Sequence, residues 1–245
     1  MSTTTIGFDE LCIEITRKCN MKCDHCLRGD AQNIDMPIPT LENFLSKVSG
    51  INCLTVTGGE PSLNVLGMEQ LLRLLKKYRV NVNAFYLVTN GKKVTNRFLK
   101  VLMDFFLYCD CDFDEENWSA IALSQDKFHE KIPDKNIRKL SLLKVFNAGD
   151  KKVNWDLVPL IESGRAVNLA NDYKTRENYM SIPDICLPRA GEISVSETTT
   201  LTCDGDLISA CDYAYDQLNE LKKSPYFIEN VNSEDWVDKI KKKFC

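Results

Sequence analysis

The chain has 245 residues, a formal net charge of −4 and a pI near 5.4, with 44% hydrophobic and 27% charged residues. That is the composition of an ordinary globular protein, long enough for one large α/β domain or a domain with a small appendage. The acidic balance gives no argument for a nucleic-acid-binding face, and no apolar run reaches the roughly 18–20 residues of a membrane span. The N-terminal stretch "MSTTTIGFDELC" lacks the basic and apolar regions of a signal peptide, so a cytoplasmic location follows by default.

Taken in chain order, short apolar runs alternate with helical patterns. "LCIEI" (11–15) reads as a strand, and "CLTVTGGEP" (53–61) as a buried strand ending in a glycine turn. "MEQLLRLLKKY" (68–78) has helical spacing, "AFYLVTNG" (84–91) is strand then turn, and "NRFLKVLMDFF" (96–106) is helical again. "SAIALS" (119–124) is strand-like, "IRKLSLLKVF" (137–146) helical, and "WDLVPLIESG" (155–164) has room for one more strand. Such β-α alternation implies a parallel sheet with covering helices, whose sites lie at the strand C-termini. After about residue 180 the pattern changes. "ISVSETTTLTCDGDLISAC" (193–211) predicts a β-hairpin turning at Asp204-Gly205, followed by a helix over "DYAYDQLNELKK". A terminal amphipathic helix is expected over "SEDWVDKIKKKF" (233–244), with Ser233 as its N-cap.

Eleven cysteines is a high count, and their odd number and uneven grouping argue against a disulfide framework. Within "KCNMKCDHCLRG" (18–29), Cys19, Cys23 and Cys26 form a C-x3-C-x2-C pattern. Three thiolates can hold three irons of a [4Fe–4S] cluster and leave the fourth open to an exogenous ligand, whereas four would close it. The alternatives are zinc with a fourth ligand elsewhere, His25 being awkwardly placed between two of the cysteines, or ordinary buried cysteines. In "TGGEP" (57–61), Gly58 and Gly59 would let a ligand approach the backbone, Glu60 and exposed carbonyls would accept from an ammonium group, and Pro61 fixes the exit.

Together these residues resemble the radical S-adenosylmethionine (radical SAM) superfamily. The resemblance rests on Cys19, Cys23, His25 and Cys26 in the first loop and on Gly58, Gly59, Glu60 and Pro61 after the second strand. "TNG" (89–91), "LSQDKFHE" (123–130) and "GRAVNL" (164–169) support it, so that it covers about residues 8–170. It implies a partial (β/α)6 TIM-like barrel over residues 1–180. The triplet would hold a [4Fe–4S] cluster that reductively cleaves S-adenosylmethionine to a 5′-deoxyadenosyl radical, which abstracts hydrogen from a substrate. It also implies a one-electron reductant such as flavodoxin or ferredoxin. By the same resemblance Gly58, Gly59 and Glu60 hold the methionyl amino group, and Ser124 and Asp126 contact the ribose or carboxylate. Asn90 lines the cavity, His25 packs near the adenine, Arg165 meets a carboxylate, and His129 is a candidate substrate contact. For Ser124 and Asp126 the plainer expectation is the N-cap of a helix starting near Lys127; for Asn90 it is a simple turn, for His129 a partly buried structural histidine, and for Arg165 a surface ion pair.

Residues 181–245 resemble the twitch or SPASM extensions of that superfamily, which carry an auxiliary iron–sulfur cluster. Cys186, Cys203 and Cys211 would be its ligands, with Cys245, Cys109 or Cys111 as the fourth; buried cysteines on a small β-layer are the alternative. The extension points to a peptide or protein side chain as substrate. A small molecule or nucleotide is the second reading, and a non-catalytic iron–sulfur or zinc protein the third, which the intact "GGEP" turn disfavours.

Overall fold

The structure is a computed structural model that describes residues 4–109, 120–147, 159–169, 172–177, 180–189 and 191–245. Cys111, its surrounding loop and the first half of "WDLVPLIESG" lie outside the described residues.

The chain starts as a regular β-α alternation. β1 (Thr5–Thr16), α1 (Ile38–Leu45), β2 (Val48–Gly58), α2 (Val65–Tyr78), β3 (Asn81–Thr89), α3 (Asn96–Tyr108), β4 (Ala120–Leu123), α4 (Asp134–Leu140) and β5 (Phe146–Asn147) follow one another. β1 to β5 are neighbours in sequence order and pair in parallel. Local chemistry sets the helix starts. The Asn64 side chain accepts from Gly67 N at 3.0 Å ahead of α2, and Thr95 accepts from Phe98 N at 3.1 Å ahead of α3.

Alternation along β1 divides its side chains between two faces. Leu11, Ile13 and Ile15 join Leu54, Val56, Phe85 and Leu87 in a core with Leu41, Phe44, Leu71, Leu75, Phe98 and Phe105 from the helices, all fully buried. Phe85 stacks on Phe105 with ring centres 4.7 Å apart. Each such side chain stabilises the fold by about 1.5–3 kcal/mol through burial. Cys12, Glu14 and Thr16 face the opposite way. They are nonetheless buried, because the C-terminal segment covers them.

That segment contributes β8 (Ile185–Arg189), β9 (Glu192–Val195), β10 (Thr199–Leu201), β11 (Asp206–Ile208), α5 (Leu218–Leu221), β12 (Phe227–Asn230) and α6 (Trp236–Phe244), after the short pair β6 (Leu160–Ile161) and β7 (Thr175–Arg176). It extends the barrel sheet directly. β9 runs parallel to the N-terminal half of β1, β10 to its C-terminal half, and β8, β11 and β12 add on antiparallel. The whole is a mixed α/β, partial TIM-like barrel with a ten-stranded sheet.

Several elements are shorter than the sequence pattern suggests. The hairpin at Asp204-Gly205 forms as expected. The helix over 137–146 stops at Leu140, and "LSLLKVF" continues through turns into β5, where it completes the parallel row. "DYAYDQLNELKK" yields one 3-10 turn and the four-residue α5, since Tyr213 and Tyr215 are drawn inward instead of facing a helix groove. Ser233 does not cap α6. Its hydroxyl reaches Glu229, and Asp235 stands at the N-cap with φ +52.

Candidate active site

The three cysteines of the triplet sit half-buried in the loop after β1, at the C-terminal end of the parallel strands. The loop is wound tightly: Cys26 N donates to Cys23 O and Gly29 N to Cys26 O, each at 3.1 Å. The ends of two neighbouring strands, β2 and β3, hold it in place. From β2, Gly59 N donates to Thr16 O and Glu60 N to Lys18 O, both at 2.8 Å. A Cβ on Gly58 would lie 2.0 Å from Thr16 O, and one on Gly59 2.3 Å from Lys18 O; Gly58 also has φ +144. The glycines are therefore required by the cysteine loop itself, which packs on their backbone, before any ligand is considered.

Glu60 ties the loop ends together. It is 1% exposed, and its carboxylate accepts from Thr89 Oγ1 (2.7 Å), Asn90 N (2.7 Å) and Ser62 N (3.1 Å). Burial raises its pKa, and these donors offset part of that cost. Its carboxylate is thus a strut between the ends of β2 and β3, with Pro61 opening the 3-10 turn that follows. Asn90 extends the strut. Its amide donates to Asn20 Oδ1 at 2.8 Å and approaches Cys19 Sγ at 3.9 Å, so it touches the cysteine loop as well as forming the turn.

Arg165 also takes another part. Its guanidinium donates to Cys23 O (2.9 Å), Gly29 O (2.6 Å) and Asp30 (2.8 Å), and its backbone N donates to Cys26 O (3.0 Å). It grips the loop backbone. Arg17, Asn20, Arg28 and Lys92 were not singled out from the sequence. The only signal was their position beside the cysteines and after "TNG".

No helix begins near Lys127. Ser124 N donates to Thr89 O at 2.9 Å, and Asp126 turns the chain by accepting from Phe128 N at 2.8 Å. Asp126 also meets both histidines, His129 Nδ1 at 2.8 Å and His25 Nε2 at 3.3 Å, while His25 stacks on Phe128 at 4.7 Å. Burial opposes charge on both rings. It lowers His25, whereas Asp126 and a hydrogen bond with Cys23 lift His129 to about 9. His25, Asp126 and His129 form one wall of the site, with ligand atoms mutually within 4.8 Å.

Behind the loop lies a buried polar group. Glu14 Oε2 accepts from Arg17 Nε and from Cys203 N, each at 2.9 Å. The Arg28 guanidinium lies 4.1 Å over the Tyr213 ring and donates to Tyr213 O, while Arg17 lies 5.3 Å over Tyr215. Glu14 Oε1 and the hydroxyls of Tyr213 and Tyr215 are buried without a hydrogen-bond partner. Burial keeps both phenols protonated.

Of the C-terminal cysteines, Cys203 and Cys211 both lie against β1, at Glu14 and Cys12. Cys203 is buried, and its thiol donates to Glu14 O at 3.2 Å, with burial pushing its pKa up. Cys211 lies against Cys12. Cys186 is exposed on β8, paired through Ser194 to the level of Gly7. That is five strand residues from Cys12, roughly 16 Å along β1. Cys245 is exposed at the end of α6, and Cys109 sits at the end of α3 against the main core.

Three thiols in one loop are a donor set that suits an iron–sulfur cluster with one iron left open. Tetrahedral zinc at about 2.3 Å from each sulfur would draw its ligand atoms to roughly 3.8 Å of one another. The Sγ atoms of Cys19, Cys23 and Cys26 do not all fall within 4.8 Å of each other. Among the described residues no other His, Cys, Asp or Glu completes a metal-ligating trio with them. Burial raises the Cys19 thiol, so a thiolate there calls for a cationic partner.

Fold and loop thus define the class: a parallel α/β half-barrel with a three-thiol loop at its strand C-termini. Residues 13–113 match the family model described as "Radical SAM superfamily". Two solved structures share its fold. The hexahistidine-tagged form of "anSMEcpe with bound AdoMet" has a TM-score of 0.56 and 15% identity over 95% of this chain and 80% of that one. "Native anSMEcpe with bound AdoMet and Cp18Cys peptide" has a TM-score of 0.55 and 15% identity, over 96% and 80%. A curated relative, "Uncharacterized protein MJ0907" of Methanocaldococcus jannaschii, is 26% identical over 93 residues, 37% of this chain and 32% of that protein. This chain therefore matches about a third of that relative's length. No helix among the described residues is long and apolar enough to cross a membrane.

Proposed function

We propose that the chain is a cytoplasmic radical SAM enzyme that acts on a peptide or protein side chain and receives its electron from a small reductant such as flavodoxin or ferredoxin. Cys19, Cys23 and Cys26 hold the [4Fe–4S] cluster, with S-adenosylmethionine on the same side of the barrel. The observation that carries the reading is the three-thiol loop, pinned by β2, β3 and Arg165 at the strand C-termini. When bound, cluster and S-adenosylmethionine supply one-electron reductive cleavage of the sulfonium and hydrogen-atom abstraction from the substrate.

The chain's own residues position and shield. Gly58 and Gly59 let the second loop lie on the first, and Glu60 fixes the ends of β2 and β3. His25, held by Asp126 and stacked on Phe128, presents a flat ring for the adenine. Glu14 Oε1 and the hydroxyls of Tyr213 and Tyr215, which have no partner among the described residues, are the polar atoms that a substrate reaching into the barrel would meet. The peptide assignment draws on the fold neighbour solved with a peptide. A second cluster on Cys186, Cys203, Cys211 and Cys245 is not part of this reading, because the β1 register separates Cys186 from Cys203 and Cys211.

The test is anaerobic. The protein is reconstituted with iron and sulfide, reduced, and given S-adenosylmethionine, and 5′-deoxyadenosine is followed by mass spectrometry. The parent chain should form it and the Cys19/Cys23/Cys26→Ala variant should not. Equal amounts from both, or none from a fully loaded parent, would overturn the proposal.

A further inference from the structure

Away from the cysteine triplet, two sulfur atoms approach more closely than unbonded thiols need to. The Cys12 thiol donates to Cys211 Sγ at 3.1 Å, across 199 positions of sequence. Two independent backbone constraints create this approach. Cys12 is the register partner of Thr200 in the β1–β10 pair, and Thr200 Oγ1 donates to Ala210 O at 2.5 Å, which brings Cys211 alongside. Thr200 also pairs with Ile208 across the hairpin, so the approach to residue 211 is fixed from both sides. The separation is shorter than the roughly 3.8 Å between two thiolates on one tetrahedral zinc, so the geometry favours a sulfur–sulfur bond over a shared ion.

Exposure differs between the two. Cys12 is 4% exposed, on a strand at the centre of the sheet, whereas Cys211 is only half-buried, in the segment after β11. Cys211 is thus the more exposed residue of the pair.

We propose that Cys12 and Cys211 form a reversible disulfide, a redox modification site that ties the first core strand to the C-terminal segment. The oxidant is a low-molecular-weight disulfide. Cys211, as thiolate, attacks one of its sulfurs and expels one thiol, leaving a mixed disulfide on Cys211. Cys12 then gives up its proton and displaces the second thiol. Two protein thiols lose two electrons, and one external disulfide becomes two thiols. In a reducing compartment such a bond is transient and responds to the thiol pool. Its effect is to tie to β1 the segment that carries Tyr213 and Tyr215, whose rings lie against Arg28 and Arg17. The proposal does not depend on what the cysteine triplet binds.

The test uses the full chain, purified anaerobically and incubated with oxidised glutathione. Remaining thiols are capped with N-ethylmaleimide, and the protein is digested without reduction and mapped by mass spectrometry. A peptide containing Cys12 joined to one containing Cys211 is expected, and dithiothreitol should abolish it. Cys12→Ser should trap Cys211 as its glutathione adduct, and Cys211→Ser should leave Cys12 unmodified by glutathione. Maleimide on both cysteines of the treated parent, or separate glutathione adducts, would overturn the proposal. So would a link from Cys211 to any other cysteine, or iron and sulfide that protect Cys211 in the Cys19/Cys23/Cys26→Ala variant.

Discussion

Two groups of cysteines behave in opposite ways. Those at 19, 23 and 26 share one loop, stay half-buried, and are surrounded by residues whose hydrogen bonds serve to hold that loop. Those at 186, 203, 211 and 245 are spread over an edge strand, a buried turn, a loop beside Cys12 and the chain end. Spacing in sequence was informative for the first group because a short loop cannot separate its residues far. For the second group it was not, since the path of a β-sheet decides where distant residues meet.

The sharpest way to break this contrast is to remove the triplet. Cys19/Cys23/Cys26→Ala should lose essentially all iron, sulfide and 5′-deoxyadenosine formation, measured by colorimetric assay and mass spectrometry. Next in size is Gly59→Ala. With its Cβ 2.3 Å from Lys18 O, the second loop must shift, at a cost of about 2–3 kcal/mol in denaturant unfolding and with weaker iron retention. Glu60→Gln keeps the shape but puts a donor where an acceptor stands, facing Asn90 N or Thr89 Oγ1. A loss of about 1–3 kcal/mol is expected in the same assay. Arg165→Ala should cost about 1–2 kcal/mol and speed iron loss to a chelator, while the KM for S-adenosylmethionine at equal iron content stays the same. A raised KM with normal iron retention would instead give Arg165 the ligand-binding role expected of it from the sequence. The smallest effect belongs to Cys186→Ser and Cys245→Ser, which should leave iron content and melting temperature unchanged.

Much of the barrel was legible in the sequence. β1 to β4 and helices α2 and α3 follow from alternation and 3.6-residue spacing, because each buries one continuous apolar face. The C-terminal segment was less so. Its strands are only three to five residues long and owe their existence to pairing with β1 or its neighbours, which no local pattern encodes. In the site, the motif positions were readable but several roles were not. Gly58, Gly59 and Arg165 pack on or grip the cysteine loop and Glu60 ties β2 to β3, through contacts between residues 29 to 142 positions apart. Such partners become visible only once the strand ends are brought together. Asp126 likewise looked like a helix cap, and His25 supplied the partner that a linear reading could not place.

The most direct test of the account is a count of iron and sulfide in the parent and in the Cys19/Cys23/Cys26→Ala variant after identical anaerobic reconstitution. About four irons and matching sulfide per parent chain, with neither in the variant, is the predicted result. About four irons persisting in the variant, or zinc without sulfide in the parent, would contradict it.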